Sequence, residues 1–158
     1  MLIPDLRQAK YGDIILFRPT GMISQLQTKI DSIGQEPQNF SHGAIFLENI
    51  GDIGIMVESV NKGGVRIAPI QEWRNYVIVR PEGSYRIVPK KSLISKVRSD
   101  YDFNKILRVM FSRLFGVSLS ADDDKKLICT ELINYAYRYQ LTEKGMCTPV
   151  TLANAILK

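Results

Sequence analysis

The sequence predicts an α+β domain, an antiparallel sheet packed with helices. Two observations point there. Over roughly the first ninety positions, short runs rich in Ile, Val, Phe and Tyr alternate with glycine, asparagine and proline turn signals, as strands and their connections do. From Ser92 onward, apolar residues recur at three- and four-residue spacing, as one face of a helix requires. With 158 residues, 45% hydrophobic and 23% charged, the chain has length for one domain (1–158) with a sizeable core and little room for a second.

The elements follow in order. In Tyr11-Gly12-Asp13-Ile14-Ile15-Leu16-Phe17-Arg18-Pro19 a turn pair leads into an apolar run that stops before proline, which reads as a buried strand. Residues 20–33 carry Met22, Ile23, Leu26 and Ile30 at helical spacing and close on Gly34, predicting a short helix. After the polar, proline-broken loop Gln35-Glu36-Pro37-Gln38-Asn39, residues 42–58 read as a hairpin turning through Glu48-Asn49-Ile50-Gly51-Asp52. A turn centred on Ile50 sets His42 directly opposite Glu58 on one sheet face, whereas a slip of one residue sends them to opposite faces. Asn61-Lys62-Gly63-Gly64 is a turn, and further strands are expected at Val65-Arg66-Ile67-Ala68, at Tyr76-Val77-Ile78-Val79-Arg80 before Pro81, and at Tyr85-Arg86-Ile87-Val88. Helices are expected at 92–99, 103–115, 128–139 and 151–157, with 116–124 a polar loop.

Charge and composition narrow the function classes. A net charge of +5 and a pI near 9.2 favour anionic partners, but the basic residues are spread along the chain and balanced locally by acids. The densest spot, Lys90-Lys91 with Lys96 and Arg98, reads as a solvated face, so no nucleic-acid partner is expected. No apolar run approaches the roughly 18 residues that span a bilayer. The start, Met1-Leu2-Ile3-Pro4-Asp5-Leu6-Arg7-Gln8, lacks the pattern of a signal peptide, which predicts a cytoplasmic protein without a transmembrane segment. Two cysteines are too few for a disulfide framework and are expected as free thiols. One histidine and two separated cysteines supply no metal-ligand set, and no Gly-rich phosphate loop follows a strand, so neither metal nor cofactor is expected.

Three residue types that make a nucleophile, a base and an orienting carboxylate stand in suggestive places. Cys129 sits where the apolar run Leu127-Ile128 passes into the helix pattern Thr130-Glu131-Leu132-Ile133-Asn134-Tyr135-Ala136. A thiol there meets unpaired backbone N–H groups and the positive end of the helix dipole, which favour a thiolate. His42, the sole histidine, opens a strand in Phe40-Ser41-His42-Gly43-Ala44-Ile45, and Glu58 closes the next in Ile55-Met56-Val57-Glu58-Ser59. Each also has an ordinary reading: a buried apolar thiol, a structural histidine, a solvated strand-end charge. Cys147, between Met146 and Thr148, reads as an inert core or loop thiol.

Four blocks in order carry a family resemblance: Gly12-Asp13-Ile14-Ile15-Leu16-Phe17; Phe40-Ser41-His42-Gly43-Ala44-Ile45; Val57-Glu58-Ser59 followed by Gly64-Val65-Arg66-Ile67-Ala68-Pro69; and Ile128-Cys129-Thr130-Glu131-Leu132-Ile133. Together with Thr148-Pro149 before the last helix, they resemble the circularly permuted branch of the NlpC/P60 superfamily. The nearest group is the YiiX-like papain-fold cysteine hydrolases, with lecithin:retinol acyltransferase more distant. Two departures are small in volume: Gly43-Ala44 follows the histidine where Val-Gly is common, and Thr130 follows the cysteine where Ser is common.

The resemblance implies a circularly permuted papain-like (NlpC/P60) fold with Cys129 as nucleophile, His42 as base and Glu58 as orienter. It also implies Tyr101 as a residue lining the site, with Ser41 as a further substrate-binding candidate. The implied activity is hydrolysis or transfer of an acyl group on a peptide, other amide or lipid ester through an acyl-enzyme. Two other readings stand beside it. One is a non-catalytic binding module on the same fold. The other is a membrane-surface protein using 104–117, where Lys105, Arg108 and Arg113 mix with apolar residues that equally suit a core helix with a basic edge.

Overall fold

The strands are β1 Leu2–Ile3, β2 Ile14–Phe17, β3 His42–Ile50, β4 Ile53–Val60, β5 Gly64–Pro69 and β6 Tyr76–Val79, in a computed structural model that describes residues 1–102, 107, 108, 115, 127–142 and 147–157. They form one antiparallel sheet in the order β1-β6-β2-β3-β4-β5. The helices among the described residues are α1 Met22–Asp31, α2 Lys90–Ile94, α3 Cys129–Ala136 and α4 Pro149–Ile156. The chain is therefore mixed α+β.

Alternation along the strands divides the core in two. Ile14, Leu16, Ile45, Leu47, Val57, Val65 and Val79 face Leu132, Ile133 and Ala136 of α3 and Leu152 and Ala153 of α4. Ile3, Ile15, Phe17, Ala44, Phe46, Met56, Ala68, Ile70 and Ile78 make the second cluster, on the opposite face, with Trp73 packed against it.

The hairpin of β3 and β4 corrects the expected register. Its turn is Gly51-Asp52, with Ile50 paired to Ile53, so His42 is not directly opposite Glu58; Ala44 is. A bulge between Phe46 and Glu48 leaves Leu47 as the extra residue. Continued without the bulge, the register at the tip would set Glu58 opposite Ile45, on the face covered by α3. The bulge shifts the pairing by one and returns Glu58 to the face of Ala44 and His42, as a diagonal neighbour of the histidine.

Two further expectations are corrected. Residues 85–88 form no strand, because the outer edge of β6 is already paired with β1 through Leu2–Val79 and Ile3–Ile78. Instead the Val88 N–H donates to the carbonyl of Ala136 at 2.8 Å and its carbonyl accepts from the Tyr11 hydroxyl at 2.7 Å. Helix α1 forms where the spacing predicts, but with the opposite face inward. Met22 and Ile23 are 86% and 85% exposed and Leu26 56%, whereas Thr28 and Asp31 are buried. Burying Thr28 leaves its hydroxyl satisfied, since Oγ1 donates to the Ser24 carbonyl one turn back at 2.8 Å.

Two of the later helices are shorter than expected. The one predicted at 92–99 starts at Lys90 and ends at Ile94, and α3 stops at Ala136, with Arg138 and Tyr139 at φ of 54° and 58°. Helix α4 starts earlier than expected, at Pro149, because Thr148 caps it: its side chain accepts from the Thr151 N–H at 3.2 Å, with Pro149 in the first turn. The helix expected at 103–115, the loop at 116–124 and the basic-apolar stretch at 104–117 lie outside the described residues, apart from Leu107, Arg108 and Phe115.

Gly64 is needed for the approach of residues 98–101 to the sheet. Its φ is +62°, and a Cβ there would lie 2.0 Å from the Ser99 carbonyl oxygen. On either side the Val65 N–H donates to that oxygen at 2.9 Å, and the Arg98 N–H donates to the Val65 carbonyl at 2.8 Å. Gly64→Ala is expected to destabilise the fold by about 1–3 kcal/mol or more, from left-handed backbone strain and the clash together, read as a lowered midpoint in urea unfolding.

Candidate active site

His42 opens β3 and Cys129 opens α3. Helix α3 packs over the residue next to His42: a Cβ on Gly43 would lie 2.7 Å from Ile133 Cδ1, so a side chain there would require the end of the Ile133 side chain to shift. The entry to α3 is held from three directions. The Leu127 N–H donates to the Asp100 carbonyl at 2.9 Å, the Leu127 carbonyl accepts from the Ser59 hydroxyl, and the Ile128 N–H donates to Glu131 Oε2 at 3.1 Å. One residue into the helix, the Thr130 hydroxyl donates to the Cys147 carbonyl.

The His42 ring has a defined partner on one nitrogen. Nε2 lies 2.8 Å from Glu58 Oε2, and Cys129, at the start of α3, lies beside the same ring. The ring belongs to an aromatic cluster: Trp73 lies at 4.8 Å and 22°, Phe17 at 5.4 Å and 28°, and these two are 4.9 Å from each other. Burial works against the imidazolium, but Cys129, through its charge and a hydrogen bond, and then Glu58 outweigh it and raise the His42 pKa from 6.5 to about 9.

Glu58 has no solvent exposure at all. Burial pushes its carboxyl up, and hydrogen bonds and charge from His42 and then Arg66 more than reverse this, holding it below the usual carboxylate value. The strand-end glutamate that reads in sequence as a solvated charge is thus a fully buried, doubly paired anion. Arg66 is its second partner, with Nε 2.9 Å and Nη2 2.7 Å from Oε1, and the same Nη2 reaches Glu72 Oε2 at 2.8 Å.

A small pocket opens on Cys129, about 390 Å3 counting its mouth, lined by Gln27, Asp31, Ser41, Tyr101, Ile128, Thr148 and Pro149. The two substrate-binding candidates from sequence, Tyr101 and Ser41, are therefore both beside the thiol. The Tyr101 phenol is pushed well above its ordinary value, first by burial and then by the charge of Cys129, so it remains a hydrogen-bond donor at neutral pH. Gln27 and Asp31 come from the inward face of α1 and carry no sequence signal, because the apolar spacing pointed the helix the other way. Arg66 was missed as well: only the observed register, in which Gly64 pairs with Val60, sets it opposite Glu58 across β4 and β5.

Both cysteines are free and buried. Burial pushes the Cys147 thiol up to about 12, only partly offset by hydrogen bonding to Thr142 and Thr130, so this sulfur is held as an unreactive thiol. The basic spot at 90–98 is engaged with neighbours: Lys90 Nζ meets Glu48 at 3.0 Å, and Lys96 Nζ lies 4.9 Å from the Tyr135 ring centre. No helix among the described residues is long and apolar enough to cross a membrane.

No protein-family model matches the chain, and no curated protein matches it. The permuted NlpC/P60 resemblance accordingly rests on the four sequence blocks and on the geometry of the residues within them.

The His42 pairing has a pH signature. Because its folded pKa is raised, its contribution to stability is fully present below 6.5 and is lost as pH rises through about 9. Glu58, with a lowered value, contributes above its unfolded value near 4.5 and loses that contribution in acid. Urea unfolding of wild type and His42→Gln is expected to show a wild-type advantage at pH 6.5 that shrinks steadily toward pH 9.

Proposed function

We propose that this chain is a cysteine hydrolase of the permuted NlpC/P60, YiiX-like type, with a papain-like arrangement in which the histidine strand precedes the cysteine helix. The observation that carries the reading is the shared imidazole: one buried ring meets Cys129 on one side and a fully buried carboxylate on the other. A structural histidine needs one partner, whereas a proton shuttle needs a nucleophile and an orienter on its two nitrogens.

In this reading the Cys129 thiolate attacks the acyl carbon of an amide or ester in the pocket beside Ser41 and Tyr101. The carbonyl electrons move to oxygen, and the developing oxyanion meets the Cys129 backbone N–H at the start of α3 and the Tyr101 hydroxyl. The His42 imidazolium gives its proton to the leaving amine or alkoxide as that bond breaks, leaving an acyl-enzyme and a neutral imidazole. A water or another acceptor then adds to the thioester while His42 takes its proton, and collapse of the second tetrahedral species expels the thiolate. Throughout, Glu58 holds the ring through Nε2 and offsets the imidazolium charge.

A second reading, a non-catalytic module that docks on a membrane surface, is favoured by a different feature. Met22, Ile23, Leu26 and Ile33 make an exposed apolar stripe on α1 and the turn after it, next to the exposed cations Arg18 and Lys29, which suits an anionic lipid surface. Co-sedimentation with phosphatidylcholine vesicles doped with phosphatidylserine is expected to be lost in Ile23→Asp/Leu26→Asp if this face binds lipid. Equal sedimentation of the two proteins removes that reading.

The hydrolase reading is tested by intact-protein mass after brief exposure to a limiting electrophilic thiol probe. Single labelling is expected, abolished in Cys129→Ala, slowed by about 100-fold or more in His42→Ala, and unchanged in Cys147→Ala. Labelling that is slow and indifferent to His42 would make Cys129 an ordinary core thiol.

A further inference from the structure

Glu58 has its two oxygens assigned to two different cations, and the second has no part in the mechanism above. Oε2 takes His42 Nε2 at 2.8 Å, while Arg66 places both Nε and Nη2 on Oε1 at 2.9 and 2.7 Å. Arg66 is the only one of these groups on the half-exposed side of β5, and it is tethered from outside by Glu72 at 2.8 Å. Glu72 closes the helical turn Ile70–Glu72, and the next residue, Trp73, stacks on the His42 ring. One short turn therefore braces both the guanidinium and the imidazole.

We propose that Arg66, clamped by Glu72, is a positioning residue that supplies the standing counter-charge of Glu58, so that His42 can lose and regain its proton while the carboxylate beside it stays ionised and in place. The proposal rests on the hydrolase reading for its purpose, and on the geometry alone for its electrostatics. A carboxylate with no solvent and only an imidazole for company is a coupled pair: taking the proton from the ring strands a buried anion, so the pair retains it. A guanidinium does not titrate in the working range and keeps its charge whatever the ring does. Its two contacts on Oε1 also leave Oε2 free for the ring. Among the described residues, the titratable groups facing the trio are Cys129 from α3, beside His42, and Glu72, against Arg66.

The chain contains a single histidine, so its imidazole C2 proton can be followed by NMR without assignment. The titration is run in a Cys129→Ala background, which removes the thiolate and makes the result independent of whether Cys129 reacts. Arg66→Gln, which keeps a donor near Oε1 and deletes the charge, is expected to raise the His42 midpoint by about one unit, and Arg66→Lys to bring it most of the way back. Arg66→Met, which keeps the stem, is read the same way should the glutamine protein not fold. With Cys129 present, p-nitrophenyl acetate is expected to leave a longer-lived acetyl-enzyme in Arg66→Gln than in wild type, with the pH midpoint of deacylation displaced upward by the same amount as the ring. An unchanged or lowered His42 midpoint in the folded charge-deleted proteins overturns the proposal. Wild type that never acetylates, alongside a raised midpoint, would leave the Arg66 device standing and sink the hydrolase reading instead.

Discussion

A carboxylate buried without solvent must be paired on both oxygens or take up a proton, and much of this architecture follows from keeping Glu58 ionised at the end of β4. The pairing draws on three strands: His42 from β3, Arg66 from β5 and Glu58 between them. It also draws on the turn after β5, through Glu72 and Trp73. His42 could not meet Glu58 if β3 and β4 kept the register of their hairpin tip, because Glu58 would then project into the apolar layer beneath α3. The bulge that leaves Leu47 unpaired is what makes a buried ion pair possible there at all.

The second constraint is the depth at which α3 sits. The helix carries Leu132, Ile133 and Ala136 into the main core, and their burial draws α3 onto the sheet. Gly43, beside His42, lies under Ile133, whose side-chain tip would have to shift if a Cβ were added there. The hydrogen bonds of Leu127 to Asp100 and Ser59, and of Thr130 to Cys147, then fix where α3 begins, which is as important for a residue in its first turn as where it lies.

Much of the site was legible before any tertiary information. Cys129 at a change from extended to helical pattern and His42 and Glu58 at strand ends follow from local signals, Tyr101 and Ser41 came only with the family resemblance, and the structure brings all five to one place. The pairing of Glu58 with Arg66 was not legible, because a turn over Asn61-Lys62-Gly63-Gly64 does not by itself put Arg66 opposite Glu58, and nothing in the sequence says that the pair is buried. Gln27 and Asp31 were not legible. Apolar spacing puts Met22, Ile23, Leu26 and Ile30 on one helix, of which only Ile30 is half-buried, while the polar Gln27 and Asp31 line the pocket. Periodicity reports that a helix has two faces; it does not say which one a neighbour needs.

By itself the sequence determined the α+β class, the existence and order of most elements, and the identity of the thiol, imidazole and carboxylate, because propensity, turn chemistry and helix caps act over a few residues. Tertiary structure alone decided the rest. The bulge at Leu47, the orientation of α1 and the failure of residues 85–88 to join the sheet each turn on what already occupies a neighbouring surface. The outer edge of β6 was taken by β1, and the layer under α3 had no place for a charge. Such outcomes depend on desolvation and pairing between residues far apart in the chain, and no local pattern encodes them.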